Sequence, residues 1–139
     1  MIIEINIVAS RIDKRPSPPT ELAVCLGAVA EFTGIVRGEE NGHAISALAY
    51  EAYQPMAEQT MRSIIETVGQ RRPCLWVRVT HRIGIVPVGE AAIHVIAGAV
   101  HRAEALAMIG DFMDRLKQDV PIWKTHALDP TGRPLPPSP

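Results

Sequence analysis

The sequence has 139 residues, which is enough for one domain with a sizeable core. Hydrophobic residues make up 47% of the chain and charged residues 21%, so the composition is that of a folded protein and excludes an intrinsically disordered one. The formal net charge of −1 argues against long polyanions such as nucleic acids as partners; local groups of cations on such a chain favour a small anion instead.

The N-terminus and the cysteines indicate the cellular compartment of the protein. Residues 1–7 alternate like a strand and lack the basic start and apolar core of a signal peptide. No run approaches the ~18 apolar residues of a membrane span, so we expect a cytoplasmic protein. Cys25 and Cys74 are far apart and lack metal-ligand spacing, which predicts two ordinary buried thiols. The motifs of metal and nucleotide sites are missing, so we expect no cofactor.

The first half of the chain predicts a hairpin. Asn41-Gly42 is the dipeptide typical of a two-residue hairpin turn, so we expect strands at 28–36 and 44–53 to pair across it. Arg37 would then lie at the mouth of this hairpin. The elements expected before it are a strand at 2–9, a loop at 11–19 and a short helix capped by Thr20 and ended by Gly27.

The second half predicts two helices and two further strands. Pro55 favours a helix start, and that helix should run to about residue 70. The strand at 75–81 is expected to be half exposed, with Trp76 on its outer side, and the strand at 91–100 is apolar. A second helix at 103–118 should end before Pro121. Its expected buried stripe consists of Leu106, Ile109, Phe112, Met113 and Leu116.

This order of elements predicts one α+β domain with a mainly antiparallel sheet and two main helices. The domain is expected to occupy residues 1–128. Residues 129–139 hold five prolines in eleven residues, so we expect an extended or disordered tail that could pack as an arm on a neighbour.

Cations lie at both ends of the predicted second helix. His101 and Arg102 precede it, where free N–H groups and the helix dipole favour an anion. Lys117 falls in its last turn, and Lys124 follows the break at Pro121. The helix is about 20 Å long at 1.5 Å per residue. One chain could not bring both ends to the same small ligand, so a shared site would require a symmetric dimer.

Each of these cations also has a structural explanation. Lys117 could simply complement the negative end of its helix, and Arg102 could be a surface residue at a helix start. Arg37 could pair with Glu39 or Glu40.

Histidines elsewhere are expected to be structural or solvated. His81, followed by Arg82, lies between two strands, where no helix terminus assists anion binding. His94 lies in an apolar strand, where a hydrogen-bonded core histidine is the expected role, and His43 lies in a turn.

Several short motifs, taken in order, resemble the large, catalytic subunit of molybdopterin synthase. The resemblance covers roughly residues 2–124. The motifs are Phe32-Thr33-Gly34-Ile35-Val36-Arg37, Tyr50-Glu51-Ala52-Tyr53-Gln54-Pro55-Met56-Ala57, His81-Arg82-Ile83-Gly84, His101-Arg102, Leu116-Lys117 and Pro121-Ile122-Trp123-Lys124.

The resemblance implies an α/β-hammerhead-type fold that forms a homodimer. Two copies of a small ubiquitin-like sulfur-carrier subunit would complete a heterotetramer. Each carrier would present a C-terminal Gly-Gly thiocarboxylate, and cyclic pyranopterin monophosphate would receive two sulfurs to become the molybdopterin dithiolene. The chain would therefore be a sulfurtransferase subunit that acts on the acceptor side.

The resemblance also implies roles for individual residues. Lys117 would be the catalytic lysine, acting as general acid/base or electrostatically, and Lys124 would assist it and bind substrate. His101 and Arg102 would come from the other subunit of the dimer. The residues expected to bind substrate are Ile35, Val36, Arg37, His101, Arg102, Lys117, Lys124, Thr125 and His126.

The chain departs from the family pattern in three places. Thr125-His126 replaces a basic residue and a glutamate, Gly38 replaces a polar residue, and the tail is proline-rich. These departures leave an alternative open, a non-catalytic paralogue that acts as an anion- or carrier-binding scaffold or regulator. A small-anion sensor without a carrier is a third hypothesis.

Overall fold

The computed structural model describes residues 1–13 and 15–136. Lys14 of the predicted loop and residues 137–139 of the predicted tail lie outside the described residues. The helices are α1 (Gln54–Arg71) and α2 (Arg102–Asp119), with a short 3₁₀ turn at Thr20–Leu22. The strands are β1 (Ile2–Val8), β2 (Ala28–Ile35), β3 (Glu39–Glu40), β4 (His43–Ala44), β5 (Ala47–Ala52), β6 (Trp76–Arg82), β7 (Gly84–Pro87), β8 (Ala91–Ala99) and β9 (Ile122–Leu128).

The larger sheet has four strands in the order β1-β6-β8-β2, and only its β1–β6 pair is parallel. Both helices pack on one face of this sheet, because each carries an apolar stripe at helical spacing. The largest buried side chains of this core are Met61, Ile64, Ile65, Met108 and Phe112. The predicted α+β fold, with mainly antiparallel sheets and two main helices in one domain, is confirmed.

The smaller sheet has the order β7-β5-β9 and is antiparallel throughout. It encloses a second apolar cluster that includes Val36, Leu48 and Val86. Tyr50 on β5 contacts the ring of His81 on β6 edge to face, with ring centroids 5.4 Å apart. This contact joins the two sheets. No helix in the described part of the chain is long and apolar enough to cross a membrane.

The predicted pairing of strands 28–36 and 44–53 is wrong. β2 pairs with β8, while β5 pairs with β7 and β9. Asn41 and Gly42 do form a turn with positive φ angles of 51° and 81°, but it joins only the two-residue strands β3 and β4. A turn dipeptide determines the local backbone geometry, but which strands pair also depends on strands that are distant in the sequence. Here β8 forms the hydrogen bonds with β2 that the predicted hairpin would have required.

Two further local predictions need correction. The predicted helix after Thr20 is a three-residue 3₁₀ turn in which Pro19 occupies the N-cap position without a side-chain cap bond. Trp76 is 1% exposed instead of half exposed. Its indole N–H donates to Glu4 Oε1 at 3.0 Å, and Leu26 packs beside it above Gly98. The segment between β1 and β2 therefore covers the sheet face opposite the helices.

The predicted buried stripe of α2 is partly wrong. Leu106 is 61% exposed and Met113 half-buried, while Ala105 and Met108 are buried in addition to the other predicted positions. Cys74 is buried as predicted, but Cys25 is exposed. The apolar spacing alone fits two neighbouring helix faces, and only the packing against β8 and β2 decides between them.

The described part of the tail folds back on the domain. The Asp129 carboxylate accepts hydrogen bonds from the Thr131 amide and hydroxyl and from the Arg133 amide, at 2.6 to 3.0 Å. These bonds lower the pKa of Asp129, with the Thr131 hydroxyl contributing most. After this turn the Leu135 amide donates to the Ala127 carbonyl at 2.8 Å. The domain boundary at residue 128 stays a prediction.

Two buried histidines, His81 and His94, make the stability of the fold depend on pH. Burial lowers the pKa of His81, against the opposing effect of its hydrogen bond to the Arg82 carbonyl, where Nδ1 donates at 2.8 Å. Burial also lowers the pKa of His94. Glu31 opposes that shift, while Arg15 and Arg78 add to it. Both side chains are therefore held neutral in the fold at pH values where the unfolded chain begins to take up protons.

We expect the free energy of unfolding to fall as the pH drops from about 7 to about 5. The unfolded histidines bind protons near pH 6.5 while the folded ones resist, so acid favours the unfolded state by up to ~1.4 kcal/mol per pH unit per histidine. Urea titrations at several pH values measure this slope. His81→Gln should be less stable at pH 8 yet show a shallower slope, and an unchanged slope would contradict the assignment.

Candidate functional site

Arg37 is exposed at the point where the chain leaves β2. The preceding Val36 is 3% exposed and hydrogen-bonded on both sides, to the Glu90 carbonyl and the Gly89 amide. Val36 therefore holds Arg37 in position through its backbone, while Ile35 is 56% exposed. Substrate binding by Ile35 and Val36 stays a prediction. Arg37 lines a shallow cavity of about 450 Å³ with Gly38, Glu39 and Asn41.

β9 carries the predicted residues Lys124, Thr125 and His126. Pro121 ends α2, and the chain returns antiparallel to β5, with Lys124 opposite Tyr50 and His126 opposite Ala49. Thr125 is the extra residue of a bulge at this step, and its hydroxyl donates to the Ala49 carbonyl at 3.3 Å. Bulges turn side chains away from regular alternation, so all three side chains are exposed along one stretch of the strand.

These three residues line a cleft of about 730 Å³ between β9, the β3–β4 hairpin and the folded-back tail. Lys124 Nζ lies 3.1 Å from Glu40 Oε1 in an ion pair. The alternative in which Glu40 pairs with Arg37 is therefore wrong. The other residues that line the cleft are Asn41, His43, Leu48, Ala127, Leu135 and Pro136.

Sequence reasoning missed Glu40 as part of this cleft and Tyr50 as a neighbour of Glu40. Burial raises the pKa of Tyr50, and the nearby Glu40 carboxylate raises it further. Glu40 and Lys124 are 84 positions apart in the chain, so no local pattern could have predicted their contact. The signal available was only that Glu39-Glu40 precede the turn.

His101 and Arg102 begin α2 as predicted. His101 takes the N-cap position with extended φ and ψ angles of −129° and 154° and makes no side-chain cap bond. Both side chains are exposed. The first-turn N–H groups and the helix dipole favour an anion at this terminus. Glu104 also lies in this first turn.

Lys117 lies in the last turn of the same helix, exposed to solvent. Fifteen residues separate it from Arg102, which corresponds to about 22 Å along the helix axis. One chain therefore groups Arg37, Lys124 and His126 around the β3–β4 hairpin and keeps Arg102 at the far end of α2 from Lys117. The predicted site residues do not converge on one point within a single protomer.

Several of these cations lack a carboxylate partner. Within residues 1–13 and 15–136, Arg37, Arg102 and Lys117 form no ion pair. The arginines that do form one are Arg11, Arg15, Arg72, Arg78, Arg82 and Arg115. In the same part of the chain, no group of three or more His, Cys, Asp or Glu side chains is arranged to hold a metal.

Comparison with known proteins shows which family the chain resembles. The model of a family described as MoaE protein matches residues 8–119. The molybdopterin synthase catalytic subunit of Homo sapiens is 37% identical over 120 residues, 86% of this chain and 64% of the human protein. The rat protein of the same name is 42% identical over 98 residues, 70% of this chain and 49% of its own length. The chain thus spans about half to two thirds of these relatives.

Solved structures share the fold. Molybdopterin synthase from Staphylococcus aureus superposes with a TM-score of 0.78 at 29% identity, over 95% of this chain and 96% of that one. A molybdopterin biosynthesis MoaE protein from Burkholderia ambifaria gives a TM-score of 0.74 at 29% identity, over 96% and 89% of the two chains. A complex of subunits 1 and 2 of molybdopterin-converting factor from Helicobacter pylori, at 22% identity, shows the fold alone, with a TM-score of 0.72 over 97% and 89%.

Gly27 holds the start of α2 in place. Its amide donates to the Ala99 carbonyl at 3.0 Å, and a Cβ on Gly27 would lie 2.1 Å from the Val100 carbonyl oxygen. That oxygen belongs to the backbone directly before His101, so it cannot move without moving the helix start.

We expect Gly27→Ala to destabilise the fold by about 1–3 kcal/mol and to shift the amide resonances of residues 100–103. Gly110→Ala is the matched control. Nothing lies within 4 Å of a Cβ at that position on α2, so it should stabilise the helix by about 0.5–1 kcal/mol. Denaturant unfolding and amide spectra measure both effects. Equal stability of the two variants would contradict this role for Gly27.

Proposed function

Because the chain belongs to the MoaE family, whose model matches most of its length, we propose that it is the catalytic subunit of a molybdopterin synthase. It would transfer sulfur from the C-terminal thiocarboxylate of a small ubiquitin-like carrier to cyclic pyranopterin monophosphate. Two such transfers would produce the dithiolene of molybdopterin. The carrier would dock on a homodimer of this chain to give a heterotetramer.

The observation that carries this proposal is the set of exposed cations without carboxylate partners. Arg37, Arg102 and Lys117 remain free of ion pairs throughout the described ranges, while Lys124 lies in an open cleft and is paired with Glu40. Both reactants of the proposed reaction are anionic, one as a phosphate and the other as a thiocarboxylate. Bringing two anions together requires positive charge that is already in position. An anion-binding scaffold could use the same cations, so product formation is what separates the enzyme from the scaffold.

Lys117 is proposed as the residue that acts on the reacting atoms. As the carrier's sulfur bonds to the substrate carbon, a carbon–oxygen bond of the substrate would break, and water would then cleave the acyl–sulfur bond and return the carrier as its carboxylate. An ammonium at this position would stabilise the negative charge that develops on the departing oxygen or give it a proton. Its place in the last turn of α2 leaves the side chain exposed. Lys124, seven residues further along and beyond Pro121, would bind the substrate anion beside it.

His101 and Arg102 are proposed to reach the same site from the partner protomer. The separation of about 22 Å along α2 argues that one chain cannot apply both ends to one small substrate. In a two-fold dimer, the start of one α2 can lie beside the end of the other. Arg102, with its planar fork of donors, suits a phosphate. Arg37, Ile35, Thr125 and His126 would complete the pocket around the pterin.

Lys117→Ala should lower dithiolene formation by about 100-fold or more, on the order of ~3 kcal/mol of transition-state stabilisation. The assay mixes the chain with thiocarboxylated carrier and cyclic pyranopterin monophosphate. Arg62→Ala, which removes an exposed cation from α1, is the control and should retain wild-type activity. Tight carrier binding by the wild type without any product would contradict the proposal and favour a scaffold.

A further inference from the structure

The cleft beside β9 has a simple charge balance. Among the described residues that line it, within 1–13 and 15–136, Lys124 is the one lysine or arginine and Glu40 the one carboxylate side chain, and the two are paired. Without a ligand, the cation of the cleft is therefore neutralised by a residue of the protein itself. An anion that binds in the cleft must compete with Glu40 for Lys124.

Glu40 is carried by a small hairpin. β3 and β4 have two residues each and pair with each other as a separate two-stranded sheet. The Asn41-Gly42 turn closes the hairpin, and the Ile45 amide donates to the Gly38 carbonyl at its base. The Glu40–Lys124 pair ties this hairpin to β9, a strand of another sheet. Opening the hairpin and releasing Lys124 are therefore linked.

The Glu40–Lys124 ion pair is weak because both side chains are partly exposed to water. The side chain of Lys124 is 49% exposed and that of Glu40 is 24% exposed. Ion pairs with this degree of exposure shift equilibria by no more than about fivefold, because water competes for both charges. Burial is the main cause of the raised pKa of Tyr50, and the Glu40 carboxylate raises it further. Glu40 therefore lies near Tyr50, the residue opposite Lys124 on β5.

We propose that Glu40 is a displaceable counter-ion for Lys124, which holds the β3–β4 hairpin over the cleft until an anionic ligand takes its place. The inference rests on the proposed function for the source of that anion, a phosphate or the terminal carboxylate or thiocarboxylate of a carrier. Glu40 acts through Lys124 and is a gating and positioning residue rather than a catalytic one. The β3–β4 hairpin opens when the ligand anion replaces the Glu40 carboxylate at the Lys124 ammonium.

The first experiment measures anion affinity by amide NMR titration of the full chain. The two probes are inorganic phosphate and, separately, a short peptide ending in a Gly-Gly carboxylate. Glu40→Gln keeps the shape of the side chain and removes its charge, so at low ionic strength it should bind at least one probe about two- to fivefold tighter. The gain should shrink as salt screens the charges.

Glu66→Gln is the matched control, since it removes an exposed glutamate from α1 and should leave both affinities unchanged. A gain for one probe alone supports the inference and identifies the anion. Equal or weaker binding of both probes by Glu40→Gln overturns it. A gain of equal size in Glu66→Gln also overturns it, because the effect would then be one of net charge.

A second experiment follows hydrogen exchange in the free protein at the Ile45 amide, which donates to the Gly38 carbonyl at the base of the hairpin. Glu40→Gln and Lys124→Gln should each speed exchange, and the double variant should exchange no faster than either, since both remove the same contact. Additive effects would overturn the inference. If the wild type makes no dithiolene while these anion and exchange results hold, the proposed function fails and the counter-ion role of Glu40 stands.

Discussion

The rigidity of α2 is the constraint on which the rest of the structure depends. The helix has 18 residues, and its buried residues Ala105, Met108 and Phe112 fix its rotation against the larger sheet. A packed helix of this length neither shortens nor bends to bring its ends together. The cations before its first turn and in its last turn are therefore held far apart. Any function that uses both groups on one small ligand has to use two protomers.

The two ends of α2 are fixed by different means. At the start, β8 leads into Val100, whose carbonyl oxygen lies against Gly27 so closely that no side chain fits there. At the end, Pro121 stops the helix, and its carbonyl accepts a hydrogen bond from the Tyr53 amide at 3.1 Å. That bond joins the end of α2 to the residue before α1. β9 then places Lys124 opposite Tyr50 on β5 and beside Glu40 of the β3–β4 hairpin. An anion bound at Lys124 would therefore lie next to residues of the smaller sheet.

The sequence predicted what local periodicity determines. Both helices and most strands appear within one or two residues of their predicted bounds, because an apolar stripe or an alternating run is a property of a few neighbouring residues. Pairing partners could not be predicted in this way. β5 has partners 34 or more residues away, β9 was not predicted at all, and Trp76 is buried by a loop that no pattern assigns to that face. The ion pair of Glu40 and Lys124 depends on the same long-range pairing. Arg102, Lys117 and Lys124 could be predicted as site residues because they border a helix and its break, which the sequence does reveal, and their roles stay predictions.

The measurement that tests the shared site most directly is the activity of mixed dimers. Subunits with Lys117→Ala and with Arg102→Ala, each nearly inactive alone, are unfolded together, refolded in equal amounts and assayed for dithiolene formation. If Lys117 and Arg102 come from different protomers, half the dimers are mixed and each has one intact site of two, so about a quarter of wild-type activity should return. A site contained within one chain would leave every site in the mixture defective. Activity no higher than that of the single variants, in samples shown to contain mixed dimers, would contradict the account.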